Sequence, residues 1–175
     1  CFLLNSYKIR HNRINDNLEQ QAKTLYDYWF VQNADEKLEM KTISEVAKTG
    51  SGGTPKSTSK EYYENGKIPW INSGELNNPF IISTENFITE EGMKNSSAKL
   101  FPKDCILMAM YGATAGKVSF LKIEATTNQA ICAVIPNKSE YKYYLKFSLE
   151  NLYSYLINLS SGSARDNLSQ EKIKN

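Results

Sequence analysis

The sequence predicts an α+β fold, in which a mostly β domain with packed helices is preceded by a long amphipathic helix of the coiled-coil type. Apolar residues recur at helical spacing in the N-terminal part, whereas short apolar runs bounded by Gly, Pro or Asn fill most of the remaining chain. A second helical stripe lies near the C-terminus. With 175 residues and 41% apolar content, the chain can close one core and carry an appended helix.

The N-terminal stripe predicts one helix from about residue 7 to about residue 31. Such a helix is roughly 35 Å long at about 1.5 Å per residue, which is more than a small domain requires for its own core. We therefore expect its apolar face to bind a partner helix, with Gln21 as a polar residue in the seam. The alternative is a helix packed flat on the following domain. The residues expected at the partner-helix interface are Ile14, Leu18, Gln21, Leu25, Tyr28 and Trp29.

A polar stretch at residues 33–36 is the expected domain boundary. We expect residues 1–33 to form a spacer or dimerisation helix and residues 34–175 to form the second domain. After the boundary, Leu38–Ile43 alternates like a strand, and Ile43–Ala47 is compatible with the start of a helical turn.

Residues 49–65 are rich in Gly, Ser and Thr, and they predict a loop. A capping-box-like start at residues 137–140 predicts a last helix from Tyr141 to near Gly162. The strands predicted between the loop and this helix are Ile68–Asn72, Phe80–Phe87, Cys105–Tyr111, Val118–Ile123 and Ala130–Ile135.

Composition excludes several classes of protein. The net charge of +2 and the pI near 8.3 are only mildly basic, so binding of nucleic acid would require a local patch of charge. No apolar run approaches the roughly 18 residues of a membrane span, and the apolar N-terminus is too short for a signal sequence. Cys105 and Cys132 lie inside apolar runs without a CxxC pair, which is typical of buried reduced thiols in a cytoplasmic protein.

No catalytic motif is complete. Gly112–Lys117 is one residue short of a phosphate loop and lacks the hydroxyl after the lysine, so it predicts a tight turn between strands. Asn77–Phe80 departs from the Asn/Asp-Pro-Pro-aromatic tetrad of amino-methyltransferases because Asn78 replaces a proline. His11 is the only histidine, and no set of carboxylates predicts a metal site. The alternative that stays open is an autonomous DNA-modifying enzyme, as an adenine methyltransferase or nuclease fragment.

Polar loops at the ends of the predicted strands suit contact with nucleic acid. Lysines, hydroxyls and glycine amides between residues 48 and 67 can donate to phosphate oxygens. The Asn and Glu side chains after Ile68–Asn72 are of the types that pair with adenine or cytosine edges, although they could also be simple turn formers. The candidate DNA-binding residues are Lys56, Ser57, Thr58, Lys60, Tyr62, Tyr63, Asn72, Ser73, Glu75, Asn77, Tyr111, Thr114, Lys117 and Arg165.

An ordered series of short motifs runs through the second domain, after a helix end at residues 20–31. The motifs are Gly52–Pro55, Ile68–Ile71, Ile106–Met108, Tyr111–Thr114, Gly116–Val118, Asn128–Ala130 and Gly162–Ser169. Together they resemble a target recognition domain of Type I restriction-modification specificity subunits, with the end of the spacer helix before it. The resemblance implies two recognition domains held apart by antiparallel helices, each of which reads one half of a split duplex DNA target.

The resemblance further implies a non-catalytic chain that directs adenine methylation and restriction by partner subunits. It assigns no cofactor to this chain, whereas the modification and restriction subunits would use S-adenosylmethionine, ATP and Mg²⁺. Only one recognition domain is present, and the chain has no initiator Met. We expect either one half of a longer subunit or a half-length subunit that pairs with a second copy. A protein-interaction adaptor built on the helix is a further alternative.

Overall fold

The computed structural model describes residues 2–35, 39–160 and 168–175. The chain divides into two compact units, Cys1–Met40 and Lys41–Asn175. This division lies a few residues beyond the boundary expected from the polar stretch.

The first unit is helical. Helix α1 spans Phe2–Asp27 and continues as a π-helical turn over Tyr28–Gln32, so the helix predicted from the apolar stripe is confirmed. The turn ends at Asn33, whose backbone N–H and side-chain amide both donate to the Tyr28 oxygen, at 3.1 and 2.9 Å. The side-chain amide thus adds a second donor to a carbonyl of the last turn.

The second unit is α+β, which confirms the predicted fold class. Its helices are α2 (Ile43–Val46), α3 (Glu90–Lys94), α4 (Tyr141–Ser160) and α5 (Gln170–Lys174). Its strands are β1 (Ala47–Ser51), β2 (Ile68–Ile71), β3 (Phe80–Ile81), β4 (Phe87–Ile88), β5 (Ile106–Ala109), β6 (Val118–Leu121), β7 (Thr126–Thr127) and β8 (Ile131–Pro136). No helix in the described part of the chain combines the length and apolar character needed to cross a membrane.

The strands form two sheets. The five-stranded sheet has the order β1-β8-β5-β6-β3, with antiparallel neighbours except for the parallel pair of β6 and β3. The three-stranded sheet has the order β4-β2-β7, in which β2 is antiparallel to β4 and parallel to β7.

Two apolar clusters cover the faces of the five-stranded sheet. Ile106 and Met108 of β5 belong to the cluster that includes residues of α4 and α5, whereas Leu107 and Ala109 belong to the cluster that includes Ile71 of β2. Successive side chains of a strand point to opposite faces, so both faces of β5 are buried and the strand reads as a continuous apolar run. Burial of a side chain such as Leu107 contributes about 1.5–3 kcal/mol.

The two internal cysteines are buried in these clusters, as the sequence predicts. Cys105 and Cys132 are free thiols, and burial raises the pKa of each to about 12.

The prediction of a strand at Leu38–Ile43 is wrong. Residues 39–42 have no regular structure, and Leu38 lies outside the described residues. The Thr42 N–H donates to the Glu45 carboxylate at 2.7 Å and so begins helix α2, which confirms the predicted helical turn. The hydrogen bonds from the backbone and hydroxyl of Thr42 lower the pKa of Glu45.

Two other predictions are corrected. Residues 49–51, predicted as loop, belong to β1 because they pair with β8 in a long antiparallel ladder. The single strand predicted at Phe80–Phe87 is two strands, β3 and β4, one in each sheet. Thr84 accepts a hydrogen bond from the Asn86 N–H at 3.1 Å, and this local bond makes a turn that divides the apolar run. Strands β2, β5, β6 and β8 and helix α4 are confirmed.

Candidate nucleic-acid interface

Several loops emerge at one end of the five-stranded sheet. The register pairs Cys132 of β8 with Ser51 of β1 and with Met108 of β5. Because these neighbours are antiparallel, the end of β1, the start of β8 and the end of β5 lie at the same end of the sheet. The hairpin loop between β5 and β6, residues 110–117, emerges there as well.

Residues 72–79 join the same end. Strand β3 runs parallel to β6, so the segment before β3 approaches the start of β6, where Ser119 donates a hydrogen bond to the Asn78 oxygen at 2.6 Å. The side chains of Asn72 and Asn128 are 3.5 Å apart. We call the four segments together the loop end; it comprises residues 52–58, 72–79, 110–117 and 128–130.

Loop 52–58 is fixed by bonds to three different elements. The Gly53 N–H donates to the Thr127 oxygen at 2.9 Å, the Trp70 indole donates to the Gly53 oxygen at 3.0 Å, and the Tyr63 hydroxyl donates to the Pro55 oxygen at 2.5 Å. Burial raises the pKa of the Tyr63 hydroxyl above its ordinary value. A side chain at Gly52 would lie 2.0 Å from the Thr127 oxygen, so only glycine allows this close approach.

A network of amides and one carboxylate covers residues 72–79. Glu75 accepts hydrogen bonds from the Asn72 N–H at 2.9 Å and from the Asn86 amide at 3.3 Å. The Asn77 amide donates to the Gly74 oxygen at 3.1 Å and is exposed. These bonds hold the side chains in fixed positions at the end of β2, and they give Glu75 a structural task in addition to the predicted contact with DNA.

The hairpin 110–117 is the tight turn between strands that the sequence predicts. The Gly116 N–H donates to the Ala109 oxygen at 2.7 Å, and Ala109 donates to the Lys117 oxygen at 3.0 Å. Gly116 has a φ of 77°, in the left-handed region that glycine adopts without strain. Lys117 is exposed at the end of this turn.

The predicted DNA-binding residues differ in accessibility. The exposed ones are Lys56, Ser57, Thr58, Lys60, Asn77 and Lys117, and the half-buried ones are Tyr62, Tyr63, Asn72, Ser73, Glu75 and Tyr111. Thr114 is 8% exposed, so its hydroxyl offers little surface to a ligand. The backbone and Cβ of Tyr62 lie beside Gly92 of α3, and Tyr111 packs against the core on the helix side of the sheet. Arg165 lies outside the described residues.

Five polar or aromatic residues of this region were absent from the predicted set. Thr54 donates a hydrogen bond to Gln129, and both side chains are exposed at the loop end. Asn86 and Asn128 complete the amide network, and Trp70 anchors loop 52–58. Gln129 and Trp70 lie in short motifs that the sequence displays, but only the register of non-sequential strands brings them beside loop 52–58.

The structure offers no metal centre among residues 2–35, 39–160 and 168–175, where no group of three or more His, Cys, Asp or Glu side chains is placed to hold an ion.

The expected partner-helix face is exposed. Leu18, Leu25 and Trp29 are 58%, 60% and 60% exposed, and Ile14 and Tyr28 are 50% and 49% exposed. The Gln21 amide donates to the Asn17 side chain at 2.7 Å, one turn away on the same helix. Exposed apolar faces of this kind are typical of interaction surfaces.

The fold is that of the specificity subunits of type I restriction-modification systems. The S subunit from M. genitalium superimposes with a TM-score of 0.64 and 19% identity, over 93% of this chain and 41% of that chain. The HsdS subunit from Thermoanaerobacter tengcongensis superimposes with a TM-score of 0.59 and 16% identity, over 96% of this chain and 40% of that chain.

Sequence comparison assigns the family. Residues 35–175 match the model of the Type I restriction modification DNA specificity domain, and the chain belongs to that family. It is 33% identical over 135 residues to the specificity subunit of the type I restriction enzyme EcoR124I/EcoR124II from Escherichia coli, which covers 74% of this chain and 33% of that protein. It is 36% identical over 142 residues to the MjaIX specificity subunit from Methanocaldococcus jannaschii, covering 78% of this chain and 32% of that protein. The chain thus spans about one third of the length of these relatives, and the resemblance seen in the motifs is confirmed.

Proposed function

We propose that this chain reads one half of a split duplex DNA target in a type I restriction-modification complex, and that partner subunits methylate and cut the DNA. One observation carries the proposal: four loops with exposed lysines, hydroxyls and amides converge at one end of the five-stranded sheet. The converging loops form a local surface of hydrogen-bond donors for DNA, which the small net charge of +2 alone does not provide.

Phosphate contacts and base contacts come from different parts of the loop end. Lys56, Lys60 and Lys117 are exposed cations on or beside the loop end, and they would neutralise phosphates without reading sequence. The Asn72, Asn77 and Gln129 amides carry both a donor and an acceptor, and a bidentate pair with a base is worth about 1–3 kcal/mol of discrimination. Glu75 would then act on sequence preference mainly through its bonds with the Asn72 backbone and the Asn86 side chain.

The partners follow from the exposed helix face and from the family. We propose that the face from Ile14 to Trp29 packs on a spacer helix of a second recognition domain, in the same longer chain or in a second copy. S-adenosylmethionine, ATP and Mg²⁺ would bind the modification and restriction subunits. The free buried thiols Cys105 and Cys132 support a location in the reducing cytoplasm. Tight binding of S-adenosylmethionine by this chain alone would favour an enzyme instead.

Salt dependence of binding to random-sequence duplexes tests the proposal. Replacement of Lys56 and Lys60 by Ala should weaken binding to all sequences and reduce the slope of log affinity against log salt by about 0.9 per lost phosphate contact. The matched control is Lys103→Ala, because this exposed lysine precedes β5 and lies at the opposite end of the sheet. An equal effect of the control and the test variants would contradict the placement of the site.

Selection of bound duplexes from a random pool tests the base contacts. Asn72→Ala and Gln129→Ala should alter the selected sequence, whereas the lysine variants should leave it unchanged. If neither amide variant changes the selected sequence, the assignment of base reading to the loop end is wrong.

A further inference from the structure

We propose that a cleft beside the loop end receives one unstacked nucleobase of the bound DNA. The cleft has a volume of about 340 Å³, and its lining includes Tyr63, Asn65, Trp70, Glu85 and Asn86. This volume lies at the lower limit of small-molecule sites, which span about 300–1,000 Å³. The inference rests on the proposed function, since the base belongs to DNA that the loop end holds.

Residues that line the cleft make hydrogen bonds to the loop end. Tyr63 and Trp70, which line it, also hold loop 52–58 through their hydrogen bonds to Pro55 and Gly53. Asn86, which also lines the cleft, donates to Glu75 of the loop end. DNA that contacts Lys56 and its neighbours therefore lies within reach of the cleft.

The lining has the chemistry of a nucleobase site. The rings of Tyr63 and Trp70 meet edge to face, with centroids 6.0 Å apart and an interplanar angle of 68°, so they form an aromatic corner. The amides of Asn65 and Asn86 and the carboxylate of Glu85 supply donors and acceptors for the edge of a base. Aromatic surface together with a few polar groups is how proteins hold bases that have left the stack.

Charge decides which part of a nucleotide enters. The Glu85 carboxylate would repel a phosphate, but it can accept a hydrogen bond from an amino group or a ring N–H of a base. Lys67 is exposed and follows Gly66 of the cleft lining, so its ammonium group can contact the phosphate of the bound nucleotide outside the cleft. The base then lies in the cleft and its phosphate at the rim.

Extrusion of a base from a paired duplex breaks its pairing and stacking, and the free-energy cost is least for a base that is already unpaired. Stacking on an aromatic side chain offsets part of this cost. The cleft should therefore be filled most readily from a duplex that contains an unpaired base.

The test compares two pools of random-sequence duplexes bound to the full chain, one with 5-iodo-2′-deoxyuridine fully paired and one with it as a single-base bulge. We expect the bulged pool to bind about tenfold more tightly, since about 1.4 kcal/mol of extrusion cost is avoided. Irradiation should cross-link the iodinated base to Tyr63 or Trp70, as located by mass spectrometry.

A variant that fills the cleft separates this site from general affinity for bent DNA. Glu85→Trp should abolish the preference for the bulge and retain binding of the paired pool. The matched control is Glu124→Trp, at an exposed acidic residue after β6 and outside the cleft lining, which should keep the preference.

Two negative outcomes are distinguishable. Salt-dependent binding of both pools with equal affinity, and with cross-links only to other residues, overturns the cleft and leaves the proposed function intact. Absence of salt-dependent binding to either pool overturns the proposed function and the cleft with it.

Discussion

The indole Nε1 of Trp70 donates a hydrogen bond to the backbone oxygen of Gly53 at 3.0 Å. Trp70 lies in β2 of the three-stranded sheet, whereas Gly53 follows β1 of the five-stranded sheet. This bond therefore joins the two sheets at the point where loop 52–58 begins, and it orders the loop before any ligand arrives.

Trp70→Phe keeps an aromatic ring and removes the indole donor. We expect the free energy of unfolding to fall by about 1 kcal/mol, the usual net worth of one hydrogen bond, with further loss from the smaller ring. DNA affinity should fall for all sequences because the loop is less ordered. Denaturant unfolding checks the first effect, and Trp29→Phe, in the first unit, is the control that should leave the second unit unchanged.

Gly52→Ala should be strongly destabilising. The added methyl group would lie 2.0 Å from the Thr127 oxygen, so the backbone of β1 or β7 must shift, with a cost of about 1–3 kcal/mol or more. Gly74→Ala is the matched control, because a methyl group there meets nothing within 4 Å. Thermal unfolding of both variants checks the prediction, and equal melting temperatures would show that the loop does not press against β7 in solution.

Asp104 makes stability depend on pH. Hydrogen bonds from Lys122 and Lys142, at 2.7 and 3.1 Å, hold the pKa of its carboxyl below the ordinary value of 3.8. Because the folded-state pKa is lowered, the stabilisation is present above pH 3.8 and is lost as the pH falls through the lowered value. The pairs are partly exposed, so the stabilisation is at most about 1 kcal/mol.

Asp104→Asn isolates this charge effect. Asp104 has a φ of 67°, and asparagine tolerates that conformation as well as aspartate does. The difference in unfolding free energy between wild type and variant should be constant near neutral pH and should shrink below pH 3.8. A difference that persists at pH 2 would assign the effect to packing and not to charge.

Charged residues on the exposed helix face should disrupt association. Leu18→Lys and Leu25→Lys place cations where the proposed partner helix packs, so sedimentation velocity should show a shift toward monomer while the second unit unfolds as in wild type. Gln20→Lys, also exposed on α1, is the control that should not change association. A wild-type chain that is monomeric alone and with modification subunits would remove the support for a spacer helix.

Elements with a clear apolar pattern could be predicted from the sequence, whereas strands that are defined by their pairing partners could not. Helices α1 and α4 follow from local periodicity, and the buried strand β5 follows from its short continuous apolar run. Strand β1 could not be predicted, because its Gly- and Ser-containing sequence has weak strand propensity. Its ladder with β8 holds it in place. The division of residues 80–88 between two sheets likewise depends on partners distant in the chain.

The residues of the candidate site could likewise be predicted only in part. Lys56 and Asn72 could be found because polar residues at strand ends form a local signal. Gln129 and Asn86 reach the same region only through the antiparallel and parallel registers of non-sequential strands. No local pattern encodes that proximity.

The burial of both faces of β5 limits which changes of sequence the hairpin at residues 110–117 can accept. If the register of β5 slipped by one residue, Leu107 and Met108 would exchange places between two apolar clusters. Hydrophobicity alone would therefore penalise such a slip only weakly. The hairpin bonds of Ala109 with Gly116 and Lys117 then fix the alignment of β5 with β6. Residues 110–117 are thus a folding determinant as well as a proposed DNA contact, and this hairpin can acquire new side chains far more easily than it can change its length.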